Sequence, residues 1–160
     1  MRRRLPPVTL AAMAFLLGAC AAPQPMTSAF DPAEHAPFAG SGSGTIEGQA
    51  FLKTKGGEVK LGAGNLVSVV PATSYWREWR DRTVVRGVEL RGGDERANEF
   101  LREAQADGEG RFRFDNLPAG NYIVTCDIRW HYSEYGQTGG VAYAEVTVRD
   151  GQVTRAVVTR

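Results

Sequence analysis

Two histidines, His35 and His131, set the acid–base and metal chemistry open to this chain of 160 residues. His131-Tyr-Ser-Glu134 holds an imidazole and a carboxylate at the His-x-x-Glu spacing that can serve a zinc ion. Such a site needs a second histidine well downstream, and none follows His131. His35 stands alone in a proline-rich stretch and reads as a solvated side chain rather than a ligand. Ser68, Ser74 and Ser133 lack the Gly-x-Ser-x-Gly setting that strains and exposes a nucleophile. Asp107-Gly-Glu-Gly110 has too few carboxylates for a calcium loop and reads as a plain β-turn. No glycine-rich phosphate cradle is present. The expectation is therefore a non-catalytic protein with no metal and no cofactor.

The two cysteines point to different chemistry. Met1-Arg-Arg-Arg4 is a basic leader, and Leu5 to Leu16 is apolar but too short to span a bilayer. Leu17-Gly-Ala-Cys20 then matches the bacterial lipobox. Small residues fit a signal peptidase cleft, and the Cys20 sulfur accepts a diacylglycerol. The expectation is a signal peptide over 1–19 and a mature chain that begins at a lipidated Cys20. Two or three acyl chains hold such a protein stably at a membrane. Ala21 in the next position, by resemblance to diderm sorting rules, implies the periplasmic side of the outer membrane. With Cys20 acylated, Cys126 has no partner within the chain and reads as an unpaired core thiol.

Aromatic rings are the third candidate chemistry. Tyr75, Trp76 and Trp79 have i,i+3 and i,i+4 spacings, so all three can share one side of a helix, flanked by Arg77 and Arg80. Trp130, Tyr132 and Tyr135 form a second group, flanked by Arg129. Rings of this kind can stack on the C–H-rich faces of sugars. They can equally pin an insertion to a sheet, and packing is the expected outcome. The candidate binding surface is accordingly Tyr75, Trp76, Arg77, Trp79, Arg80, Trp130 and Tyr132.

These residues need a scaffold, and its clearest part is 108–125. Arg111-Phe-Arg-Phe114 alternates polar and apolar, which sets both phenylalanines on one face of a strand. Asp115-Asn116 and Pro118-Ala-Gly120 make a tight corner, with Leu117 between them as a plug. Alternation resumes with Tyr122, Val124, Cys126, Ile128, Trp130 and Tyr132 on one face. The other face carries Ile123, Thr125, Asp127, Arg129 and His131, as in an antiparallel sheet wet on one side. Further strands are expected over 46–52, 58–61 and 66–70, with a short edge segment at Val84–Val88. Strands at 141–148 and 153–158 are joined by an Asp150-Gly151 hairpin turn. Two helical pieces, 75–82 and 94–106, interrupt the strands as an insertion. The second has Asp94 as N-cap and Ala97, Phe100, Leu101 and Ala104 as its apolar stripe. Residues 20–44, rich in Pro, Gly and Ser, read as a tether in which little packs, with Phe30 and Phe38 as the residues able to touch the domain.

Glu109-Gly-Arg-Phe-Arg-Phe114 followed by Asn116-Leu-Pro-Ala-Gly-Asn-Tyr-Ile-Val124 resembles the signature of carboxypeptidase-regulatory-like domains. The series running from Gly48 through Val69-Val-Pro-Ala-Thr-Ser-Tyr75 is similar to bacterial members of the same family. The resemblance implies an all-β, seven-stranded antiparallel β-sandwich of the transthyretin (prealbumin) type over 45–160, here with a short helical insertion. It carries no activity with it. The related hydroxyisourate hydrolases use a His/Arg/His set and a Tyr-Arg-Gly-Ser C-terminus, whereas this chain ends Val157-Val-Thr-Arg160.

Charge narrows the partners. The sequence carries 19 basic and 18 acidic residues, and loss of Arg2, Arg3 and Arg4 turns the net charge from +1 to −2. No basic tract suggests nucleic acid. Two functions of different class fit: a non-catalytic envelope lipoprotein that contacts another envelope protein or the cell wall, or a small glycan-binding module that uses the aromatics.

Overall fold

The computed structural model describes residues 22–160. The expected signal peptide and Cys20 lie outside the described residues. The fold is the expected β-sandwich, with a helical insertion between its strands.

The first sheet is built around β2 (Gly44–Lys53). Its pairing changes along its length. The first half pairs antiparallel with β7 (Arg111–Leu117), and the last three residues pair with β3 (Val59–Leu61). On its other edge β2 pairs with β10 (Val153–Val158), and this pairing is parallel, from Val153 opposite Thr45 to Val158 opposite Ala50. The second sheet has the order β6–β4–β8–β9 and is antiparallel throughout: β4 is Leu66–Pro71, β6 Arg102–Gln105, β8 Gly120–His131 and β9 Gln137–Val148. A separate two-residue ribbon joins β1 (Gln24–Pro25) to β5 (Leu90–Arg91).

The alternation read from 111–130 places the core. Phe112, Phe114 and Leu117 are buried, as are Tyr122, Val124, Cys126 and Ile128, while Arg111 and Arg113 face water. They meet Ile46, Ala50 and Leu52 of β2, Val67 and Val69 of β4, and Val158 of β10 between the two sheets. Leu117, fully buried, plugs the corner, and Asn116 rather than a glycine takes the left-handed turn there at φ 58°. Asparagine tolerates that region because its short polar side chain bonds locally.

Four local expectations are corrected. The stretch 94–106 is not one helix: a 3-10 turn spans Glu95–Phe100, capped by Asp94, and the chain then extends into β6. The free edge of β4 explains this. Pairing satisfies its backbone from Leu66 to Val69, and the alternation of Arg102, Ala104 and Ala106 fits a strand as well as the stripe fitted a helix. β6 is thus an eighth sandwich strand where seven were expected. The second correction concerns Val84–Val88, which form no edge segment. Val84 is buried in a π-helical turn, Arg80–Val85, and the strand comes later as β5. Third, Asp150-Gly151 does not close a hairpin within one sheet. It carries the chain from β9 across to the other sheet, where β10 finds β2. β9 and β10 form no ladder with each other; just past β10, Thr159 makes an isolated bridge to Tyr143. Fourth, the nominally wet face of β8 is dry at Ile123, which the insertion covers, and at Thr125, which is also buried.

Candidate functional site

The insertion starts at α2 (Ser74–Trp79), where the Thr73 hydroxyl accepts from the Trp76 N–H as N-cap. Tyr75 and Trp76 are buried at 7% and 8% exposure, and Trp79 is half-buried. Their rings pack edge to face, at 5.4 Å between Tyr75 and Trp76 and 5.8 Å between Trp76 and Trp79. The cluster sits on Val70 and Ile123 with Ala97 beside it, and the Tyr75 hydroxyl accepts from the Asp94 N–H at 2.9 Å. Tyr75 and Trp76 therefore have no free face for a ligand; they weld the insertion to the sheet. Arg77 and Arg80 are engaged as well. Both donate to the Glu145 carboxylate on β9, at 2.6 and 2.7 Å, and Arg80 also holds Asp81. Burial pushes the Glu145 carboxyl up, but the two arginines outweigh that and hold it below the usual range.

The N-terminal segment does not hang free. A short helix α1 (Pro32–His35), capped by Asp31, and the 3-10 turn Ala36–Phe38 lie on the domain. His35, expected in solvent, is 1% exposed. Its ring stacks between Phe30 and Phe100, with centroids at 4.2 and 4.9 Å, while Nδ1 donates to the Asp31 carbonyl and Nε2 faces the Thr73 hydroxyl at 3.3 Å. Phe38 meets Tyr122 edge to face, directly over Gly120, where a Cβ would lie 2.5 Å from the ring. Glu78 of α2 is the main clasp. It accepts from the Thr27 N–H and hydroxyl, from the Ser28 N–H and from Arg82, and Arg82 reaches on to Pro25 and Gln24. Burial works against the ionised Glu78, but these donors prevail and hold its carboxyl far below the usual range. No composition signal separates such a packed strap from a loose tether, because its contacts are single residues spaced by proline.

The second aromatic group lies at the opposite end of the sandwich. Trp130, near the end of β8, packs against the core and also lines a cleft of about 390 Å³ between the sheet ends. The β2–β3 turn contributes Lys53 and Lys55, β9 contributes Thr138 and Gly139, and Arg160 closes the rim. Lys60 lies with its Nζ 6.0 Å from the Trp130 ring centroid. Past the strand end, Tyr132 and Tyr135 are 71% and 97% exposed. Arg129 points to the other face of β8, where it pairs with Asp127 at 2.9 Å. Of the sequence candidates, then, Trp130 and Tyr132 lie at an open end, and Tyr75, Trp76, Arg77, Trp79 and Arg80 belong to the insertion's packing. Lys53, Lys55, Thr138 and Arg160 carry no motif. They meet only because β2, β8, β9 and the end of the chain converge.

Nucleophile chemistry is weak in this frame. The Cys126 thiol is buried, and burial with Asp127 beside it pushes it up to about 11. Among the described residues no three His, Cys, Asp or Glu side chains group closely enough to hold a metal ion.

The geometry defines a β-sandwich with a strapped helical insertion on one sheet and a cationic, tryptophan-walled cleft at one end. The chain matches no family model and no curated protein, so the family resemblance of 109–124 rests on those residues alone. Among solved structures it is similar to a Pseudomonas aeruginosa protein described as a candidate carbohydrate-binding protein, with 29% identity, a TM-score of 0.71 and coverage of 82% of this chain and 97% of that one. A minor pilin of the Gram-positive pathogen Streptococcus agalactiae aligns at 14% identity and a TM-score of 0.41, over 74% of this chain and 44% of the pilin.

Proposed function

We propose that this protein is a non-catalytic carbohydrate-binding lipoprotein of the cell envelope, anchored through Cys20 and binding a saccharide at the Trp130 cleft. The observation that carries the reading is the cleft itself. A half-buried tryptophan next to polar and cationic side chains is the composition of a sugar subsite: an apolar wall for the ring face and donors for hydroxyls. The neighbour described as a candidate carbohydrate-binding protein supports the same class. The anchor is inferred from Leu17-Gly-Ala-Cys20 and its basic and apolar approach. A sandwich tied to the outer membrane on its periplasmic side would meet cell-wall glycan directly.

Binding of the detergent-solubilised chain to purified peptidoglycan and to a glycan array tests the site. Trp130→Ala is expected to remove binding while Trp79→Ala, on the far side, keeps it. Retention by Trp130→Ala at wild-type level would place the site elsewhere. Palmitate labelling tests the anchor: Cys20→Ala should lose the label and accumulate as precursor, and a labelled, processed Cys20→Ala would refute it.

A further inference from the structure

We infer that the saccharide taken by the Trp130 cleft is an acidic one, its carboxylate held by Arg160 with Lys53 and Lys55 while its ring lies against Trp130. This rests on the carbohydrate-binding reading and adds the charge of the ligand. The basis is the grouping of three unpaired cations at one cleft. Arg77, Arg80, Arg82, Arg96, Arg111, Arg113, Arg129 and Arg155 all have a carboxylate partner within 4.0 Å. Lys53, Lys55 and Arg160, all exposed, have none among the described residues; Arg86, Arg91, Arg102 and Arg149 have none either, but only the first three line one cleft. The one acidic side chain paired near them is Glu58, which is taken by Lys60 at 2.6 Å. Three uncompensated cations around one concave site raise the local potential and favour an anion.

Arg160 also lies against the backbone of β9. A Cβ on Gly140 would lie 2.8 Å from its Nη2 and 3.2 Å from its Cζ, so the guanidinium rests against a stretch of β9 that only glycine leaves open. A planar guanidinium presents its donors as a fork, the geometry that suits a carboxylate. Trp130 on the same wall supplies the apolar half of the contact. A neutral sugar would leave the three cations without a counter-charge.

The test uses the detergent-solubilised full chain and titrates three probes by calorimetry: an oligogalacturonate, a neutral galacto-oligosaccharide of equal length, and dextran sulfate. Wild type should bind the oligogalacturonate in preference to the neutral probe, and more weakly as salt is raised. Arg160→Gln should weaken that binding about tenfold, as expected for losing one charge-assisted contact, and the double change Lys53→Gln, Lys55→Gln should weaken it at least as much. These positions are exposed, so the variants should melt like wild type. Equal binding of acidic and neutral probes, with loss in Trp130→Ala and none in Arg160→Gln, would overturn the acidic ligand and leave carbohydrate binding standing. Equal binding of dextran sulfate and oligogalacturonate would reduce the site to a general polyanion patch and overturn the inference. Failure of wild type to bind any of the three, or peptidoglycan, would remove both readings together.

Discussion

Glu78 offers the sharpest test of the strap. Its carboxylate accepts from Thr27, Ser28 and Arg82, and the Glu78 and Arg82 side chains are only 10% and 14% exposed. Replacement by alanine leaves Arg82 without its carboxylate and two backbone N–H groups without acceptors. Breaking a buried pair from one side costs about 3–5 kcal/mol. Arg82 keeps the Pro25 carbonyl and the Gln24 side chain, so the low end applies, about 3 kcal/mol. For a chain of this size that lowers the melting temperature by roughly 6–12 °C. The pH dependence has a definite sign. The folded Glu78 carboxyl lies below its unfolded value near 4.5. Its contribution is therefore complete above that value and is lost as pH falls below it. Calorimetric melts at pH 7 and pH 3 should show a wide gap between wild type and Glu78→Ala that narrows in acid. Chymotrypsin should also cut the variant sooner after Phe30 and Phe38. A Glu78→Ala protein that melts within about 1 °C of wild type at pH 7, with both phenylalanines still protected, would show that the strap is held by other contacts.

Three further outcomes follow from burial and pairing. Phe112→Ala and Phe114→Ala should each cost about 3–5 kcal/mol in urea, because both rings are in the core, whereas Arg113→Ala, exposed and paired with Asp115 and Glu47 at the surface, should leave the urea midpoint close to wild type. Equal losses at all three positions would contradict the two-faced strand. Trp76→Ala should cost about 3–5 kcal/mol and Trp79→Ala, half-buried, less, both without loss of glycan binding; a binding defect with an unchanged melt would return the insertion to the functional surface. Cys126, with its thiol raised to about 11 by burial, should resist iodoacetamide at pH 8 in the native protein and react once the chain is unfolded in guanidinium. Rapid labelling of the native form would mean that the core opens easily.

Features that depend on period and on local turn chemistry are legible in the residues alone. Phe112 and Phe114 alternate with arginines, Tyr122, Val124, Cys126 and Ile128 share one face of a strand, and Leu117 sits between turn residues. A strand has only two faces, so these patterns settle which side chains share the core face before any partner strand is known, whereas the burial of Ile123 and Thr125 on the other face of β8 depends on what covers it. Asp94 caps its turn as expected, since a side-chain acceptor two residues ahead of an orphan N–H acts locally. Only tertiary structure decided the rest, because it turns on which segments meet. β6 is a strand because β4 has an open edge, and β10 runs parallel to β2 because the chain crosses the sandwich after Gly151. His35 is buried because a strap held at Glu78 and Phe38 carries it onto Thr73. Trp76 belongs to the packing while Trp130 opens on a cleft, although both are tryptophans on an apolar face. The difference is whether the insertion or solvent lies above each one. The cations beside Trp130 come from residues up to 107 positions apart, Lys53 and Arg160, and no local pattern relates side chains that only the convergence of two sheet ends brings together.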